Sequence, residues 1–213
     1  MNRRQRFIVW VLCCVISPVA FAEGAEPYHV KSDVLGETMA TFRQNHRDEA
    51  LDCPNLPSPP GPIGVRFCQT MTTPRPVLPA LSPGFTNEPL TYAGEQAYGR
   101  FAWFDDEILY KIVYLFDFSS HENDFCYDRL LQPLTEHFGK PAEVKELDFP
   151  NLTGSNVKNH VAIWKNEVST IRLEQFADGA SDSHSTQLIF SLDKLADDAA
   201  QRQYKARHAK SDM

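Results

Sequence analysis

The sequence predicts an α+β fold: an antiparallel sheet built from two helix-plus-hairpin units, with the helices on one face and a long proline-rich loop. Three patterns carry this expectation. Apolar runs suited to strands recur from residue 97 onward, helical stripes with caps and Gly-Pro stops interrupt them, and ten of the 15 prolines crowd between Pro54 and Pro89. A chain of 213 residues, 42% apolar and 23% charged, can bury one substantial core and lacks the composition of disordered, fibrous or multi-span membrane proteins.

The first 22 residues read as a secretory signal peptide and not as part of the fold. Asn2 to Arg6 is cationic, Phe7 to Val19 is apolar apart from Ser17 and Pro18, and Ala20-Phe21-Ala22 puts small residues where a signal peptidase reads them. The apolar run falls short of the roughly 20 residues that span hydrocarbon, so no stable membrane insertion is expected after cleavage. Neither Cys13 nor Cys14 follows the small residue of a lipoprotein signal. Cleavage removes three arginines and no acid, which takes the formal charge from -7 to -10. Residues 23–213 read as a single exported domain, periplasmic or secreted. An acidic chain without a basic face is not expected to bind nucleic acid. The bases Arg202, Lys205, Arg207 and Lys210 follow Asp193, Asp197 and Asp198, the order that a helix dipole favours.

Along the chain, the first element is a short helix starting near Thr38, with Met39, Phe42 and His46 on one side. Residues 54–89 then form the proline-rich loop region, within which only Gly64 to Met71 is a credible strand. Cys53 and Cys68 flank its first half, which can form neither helix nor sheet, so a disulfide between them is expected, with Cys126 left as a free thiol in a core position. Ten aromatics fall between Tyr98 and Tyr127 and centre the core on that segment. Ala97 to Phe104 and Ile108 to Phe116 form a hairpin around Asp105-Asp106. A two-residue loop puts Phe101, Trp103, Ile108, Tyr110, Ile112 and Tyr114 on the core face and leaves Tyr98, Arg100, Phe104, Glu107, Leu109, Lys111 and Val113 on the other, which keeps Arg100 out of the core.

Ser119-Ser120-His121-Glu122 matches a capping box and opens a helix whose Cys126, Leu130, Leu134 and Phe138 recur every four residues. Gly139 and Pro141 end it, and Pro133 should kink it. Strands follow at Ala142 to Leu147, His160 to Trp164, Val168 to Phe176 and Thr186 to Phe190. A three-residue turn, Lys165-Asn166-Glu167, puts Val161, Ile163, Ile171 and Leu173 on one face. Residues 192–213 form a closing helix with a thin apolar side, Leu192, Leu195 and Ala199, and a tail.

The two halves share a pattern. Ala102-Trp103-Phe104-Asp105-Asp106-Glu107-Ile108 matches Ala162-Ile163-Trp164-Lys165-Asn166-Glu167-Val168 in spacing and polarity, and each comes after a helix that ends in Phe, at Phe42 and Phe138. This tandem pattern over residues 35–46 and 97–176, with Phe138-Gly139-Lys140-Pro141 as its best local match, resembles two kinds of exported protein. They are the small lipoprotein of the outer-membrane β-barrel assembly machine and the β-lactamase inhibitory protein. The resemblance implies a unit that binds other proteins. The chain lacks the lipid-attachment cysteine of the first, and no binding residue carries across by position.

Motifs for chemistry are sparse, and no metal or cofactor is expected. None of the seven histidines has the His-x-x-x-His spacing, and no Gly-x-Ser-x-Gly elbow or phosphate loop occurs. His121-Glu122-Asn123-Asp124 reads as a helix start, and the polar stretch Asp178 to His184 as a solvated loop. The leading expectation is a non-catalytic binding or inhibitory protein that meets another envelope or secreted protein through Tyr98, Arg100, Phe104 and Lys111. The alternatives are that this strand face is covered on both sides, that the protein is a hydrolase using His121, His160 or His184 with an acid brought near by the fold, or that aromatics line a small-ligand cavity. Thiol labelling of the exported form, denatured without reduction, is expected to find one thiol; three would remove the bridge.

Overall fold

The computed structural model describes residues 26–54, 64–72, 84–86, 90–116, 123–150, 156–175 and 186–209. The signal segment, most of the proline-rich stretch, the capping box at Ser119 to Glu122 and the polar loop from Asp178 to His184 lie outside the described residues.

The protein is α+β. A small hairpin, β1 (His29–Val30) and β2 (Asp33–Val34), precedes α1 (Met39–Asn45). Then come β3 (Val65–Thr72), β4 (Phe85–Thr86), β5 (Leu90–Tyr92), β6 (Glu95–Asp105), β7 (Ile108–Phe116) and α2 (Asn123–Phe138). The chain continues through β8 (Glu143–Pro150), β9 (Asn156–Lys165), β10 (Ser169–Glu174), β11 (Thr186–Leu192) and α3 (Asp193–Ala209). A nine-stranded sheet runs β4-β3-β6-β7-β11-β10-β9-β8, with β5 also pairing to β6. Its pairs are antiparallel except β3 with β4. The two antiparallel runs meet where β11 pairs with β7.

Local chemistry sets the helix ends. The Thr38 side chain caps α1 by accepting from the Thr41 N–H at 3.2 Å. Gly139, at φ 80°, ends α2 where a left-handed residue is needed, and its carbonyl accepts from the Trp164 indole at 2.7 Å. Residues 36–39 are stitched to the β6–β7 turn: Gly36 N–H donates to Leu109 O, Leu109 N–H to Glu37 O and Met39 N–H to Glu107 O, each at 2.8 Å. After α1 the chain meets β3 at Asp52, which exchanges two backbone bonds with Gln69. The Cys53–Cys68 disulfide closes this contact, a 15-residue separation for which chain entropy alone predicts about 3 kcal/mol of stabilisation. Cys126 is free and buried.

The main core lies between the sheet and the helices α1 and α2. Met39 and Phe42 of α1 and Cys126, Leu130 and Leu134 of α2 pack against Phe104, Ile112, Trp164, Ile171, Leu173 and Phe190. The expected stripes on α1 and α2 are therefore both core stripes. Helix α3 lies on the opposite face, where Ala199 packs with Val65 and Tyr110 beside Trp103 and Leu195. This corrects the expectation that the helices share one face. β6 and β7 are interior strands with apolar side chains on both sides, so the second face also needed cover.

Both hairpins also correct their expected registers. In the first, Asp105 pairs with Ile108 and the loop is Asp106-Glu107, both at positive φ, 49° and 65°, as in the hairpin turns that match strand twist. A bulge then separates the pairs Phe104↔Leu109 and Trp103↔Lys111, leaving Tyr110 as an extra residue that turns to the α3 side. Arg100, Ala102, Phe104, Leu109, Ile112 and Tyr114 consequently share the α1 and α2 face, whereas Phe101, Trp103, Lys111 and Val113 share the other. In the second, Thr170 pairs with Lys165 and the loop has four residues. Asn166 Oδ1 organises it by accepting from the N–H groups of Val168 at 3.0 Å and Ser169 at 2.8 Å. Trp164 and Ala162 thereby join Ile171 and Leu173 in the core, and Ile163 faces away.

Glu107 holds a left-handed backbone that glycine adopts without steric cost, while its ion pair with Arg66 is largely exposed. Glu107→Gly is therefore expected to stabilise the protein by about 0.5 kcal/mol in urea unfolding, the backbone gain outweighing the lost pair. A loss of stability would show that the ion pair or the added chain entropy dominates.

Candidate functional site

The described structure brings five polar side chains together at the edge of the main core. Asp33 comes from β2, His46 from the C-cap of α1, Glu49 from the turn that follows, and Arg100 and Tyr114 from directly paired positions on β6 and β7. Asp33, His46 and Arg100 are 1%, 3% and 4% exposed, burial that charged groups tolerate only when paired. The pairing is dense. His46 Nδ1 bonds Glu49 Oε1 at 2.8 Å, and its Nε2 bonds Asp33 Oδ1. Arg100 Nη2 donates to Glu49 Oε2 at 2.5 Å, and Nη1 lies 3.8 Å from Asp33 Oδ2. The Tyr114 hydroxyl donates to Asp33 Oδ2 at 3.4 Å. The Arg100 guanidinium also sits 5.4 Å from the centre of the Phe42 ring.

The electrostatics assign protonation states. Burial opposes charge on His46, but hydrogen bonds to Asp33 and Glu49 outweigh it and push the imidazole pKa up to about 9, despite the neighbouring Arg100. Burial likewise raises the Glu49 carboxyl, and its contacts with His46 and Arg100 overcome that and hold it below its ordinary value. Burial, reinforced by the charge of Asp33, keeps the Tyr114 phenol far above its usual range, so it remains a donor.

A cavity of about 150 Å³ adjoins the cluster, its wall completed by Lys31, Ser32, Leu90 and Thr91. An imidazolium with both nitrogens bonded to carboxylates has no lone pair with which to take a proton or bind a metal. With its pKa raised to about 9, His46 is the positive partner of Asp33 and Glu49, and its Nδ1 also lies 3.3 Å from Arg100 Nη1. Among the described residues, no group of three His, Cys, Asp or Glu side chains is placed to hold a metal ion.

The expected contact residues fall in different places. Arg100 and Phe104 are buried on the α1 and α2 side, where Phe104 meets Phe42 edge-on at 5.3 Å. Lys111 lies on the opposite face, 5.0 Å from the centre of the Trp103 ring. Tyr98 is half-buried at a register shift between Ala97 and Gly99. The four do not form one patch. On the face carrying Lys111, Phe101, Trp103, Val113, Leu115 and Gln187 join it in lining a groove of about 250 Å³ that α3 leaves open. His160 is half-buried with its ring 6.0 Å from that of Tyr127, and His121 and His184 lie outside the described residues. Burial pushes the Cys126 thiol up, which disfavours the reactive thiolate.

Sequence periodicity places His46 on the inner side of α1 but does not supply its partners. The usable signal is a histidine one helical turn after Phe42 with Glu49 three residues on; Asp33 and Arg100 carry none.

No known protein-family model, curated protein or solved structure matches this chain. Among the described residues no helix is long and apolar enough to cross a membrane.

The cluster makes stability depend on pH. An imidazole at about 9 when folded and 6.5 when unfolded contributes in full below pH 6.5 and loses its contribution as pH rises through 9. Unfolding free energy is expected to fall by about 3 kcal/mol across that window. Glu49, with its folded pKa lowered, acts oppositely: its contribution is lost as pH falls through the carboxylate range. Urea titrations at a series of pH values should show a maximum near mildly acidic pH and an alkaline decline that His46→Gln flattens. A flat profile above pH 6.5 in the native protein would mean that His46 is neutral.

Proposed function

We propose that this is an exported, non-catalytic binding or inhibitory protein of the bacterial envelope that works by protein-protein contact through the open face of its sheet. One observation carries the reading. On the face opposite α1 and α2, a groove combines the apolar side chains of Phe101, Trp103, Val113 and Leu115 with Lys111 as its formal charge. Phe101 and Trp103 stack with ring centres 5.9 Å apart, giving an aromatic anchor of the kind that dominates protein interfaces. The occupant that fits is a partner segment presenting apolar side chains to this aromatic anchor.

Further support comes from the disulfide, which suits the oxidising periplasm or exterior, and from the cationic, apolar and small-residue sequence of the first 22 residues. The order α1, then the β6–β7 hairpin, and α2, then the β9–β10 hairpin, is compatible with the two helix-plus-hairpin units of the sequence pattern. Such units resemble exported proteins that bind other proteins.

Capture from envelope and secreted extracts tests the surface. Purified native protein is expected to retain a partner that Phe101→Glu and Lys111→Glu lose, while Arg129→Glu, on the exposed side of α2, keeps it. Retention by both groove variants would remove this face from the interface.

A further inference from the structure

On the side of the sheet away from the aromatic groove, a second concavity opens where α2 meets the β1–β2 hairpin and the β5–β6 turn. We propose that this cavity, about 330 Å³ in volume, binds a small aromatic carboxylate, whose ring rests on Tyr92, Leu134 and Phe138 and whose charge is met by Lys31 and His137.

The floor follows from local geometry. Leu134 and Phe138 are one turn apart on α2, and so are Pro133 and His137 beside them, so one strip of the helix meets the cavity. Across from it, Tyr92 pairs with Glu95 over the two-residue turn Ala93-Gly94, both at positive φ, and joins the main core. Phe190, fully buried, connects the two walls: its ring centre is 5.7 Å from that of Tyr92 and 6.4 Å from that of Phe138. Tyr28 meets Phe138 edge-on at 5.2 Å. The aromatic surface is thus anchored in the core and already formed without a ligand, which spares the cost of ordering it on binding. At about 30 Å³ per water, the volume equals roughly eleven waters, room for a ring with a short acid arm.

The polar part of the lining has one sign. Lys31, His29 and His137 contribute to it, and no Asp or Glu does. The Lys31 ammonium donates to the carbonyl and hydroxyl of Thr91, neutral acceptors that leave its charge uncompensated. Asp33 and Glu49, which share the neighbouring cavity with Lys31, have their oxygens on His46, Arg100 and Tyr114. His137 stands edge-on to Phe138 at 4.5 Å and makes no hydrogen bond or ion pair among the described residues, so its ring N–H is available as a donor. Glu26 pairs with His29 at 3.8 Å from a side chain that is 87% exposed, where solvent screens it. A cationic ligand would be repelled by Lys31, and a neutral hydrocarbon would fill the floor but leave that charge without a partner. A carboxylate on an aromatic body matches both parts of the lining.

Calorimetric titration of the purified native protein at two temperatures, with three probes that share one ring, tests the site. Indole-3-acetate is an anion, tryptamine a cation and 3-methylindole neutral. Indole-3-acetate is expected to bind saturably, about fivefold or more tighter than 3-methylindole, with tryptamine the weakest. Lys31→Gln and His137→Glu, both at exposed positions, are each expected to weaken indole-3-acetate about threefold or more with the unliganded Tm unchanged. Phe101→Glu, in the groove on the opposite face, is expected to keep full affinity, which separates this site from the protein-contact surface. Absence of saturable heat with indole-3-acetate at both temperatures would overturn the proposal. So would equal or tighter binding of either other probe, unchanged affinity in both Lys31→Gln and His137→Glu, or loss of binding in folded Phe101→Glu.

Discussion

Arg100 sits in the middle of β6 with its guanidinium on the core side, and much of the N-terminal part of the structure is organised around keeping that charge there. A lone buried guanidinium is untenable, so carboxylates must be delivered to it from outside the sheet. Asp33 arrives on the β1–β2 hairpin and Glu49 on the turn after α1, with His46 between them bonded to both. Neither segment is large enough to pack independently, and both are positioned by this cluster together with the strand-like bonds of residues 36–39 to the β6–β7 turn. Removing one member would strand another charge, which is why breaking such a network costs more than the net contribution of its bonds.

The hairpin that carries Arg100 also decides how the rest of the sheet is dressed. The bulge at Tyr110 breaks the simple alternation along β7, so apolar groups emerge on both faces of an interior strand. One face receives α1 and α2. The other receives α3, whose apolar side is too thin to cover all of it, and the uncovered part is the aromatic groove with Lys111. The outer strand β8 is treated differently: its Glu143, Lys145, Glu146 and Asp148 are exposed, and charges of this kind discourage further strand pairing at a sheet edge. Val144 is the exposed apolar side chain among these charges.

A histidine bonded on both nitrogens to carboxylates stabilises charge at the edge of the core, and through it the β1–β2 hairpin, the turn after α1 and β6 meet at one point.

Local sequence determined a good deal. The helix start near Thr38, the four-residue stripe from Cys126 to Phe138, the stop at Gly139, the strand inside the proline-rich region and the Cys53–Cys68 pairing all come from short-range geometry, and the structure has them. The registers of both hairpins were not legible. For the first, keeping Arg100 out of the core is a sound rule for an isolated strand that fails once Asp33 and Glu49 neutralise it from 67 and 51 residues away. The second turned on whether Asn166 would organise a three- or four-residue loop, a choice settled by whether Trp164 or Ile163 fills the core. The sequence by itself therefore determined which segments become helices and strands, because capping and periodicity act over a few residues. Only the tertiary structure decided which side chains face inward and where the charges meet, because a buried ion's partners can come from anywhere along the chain.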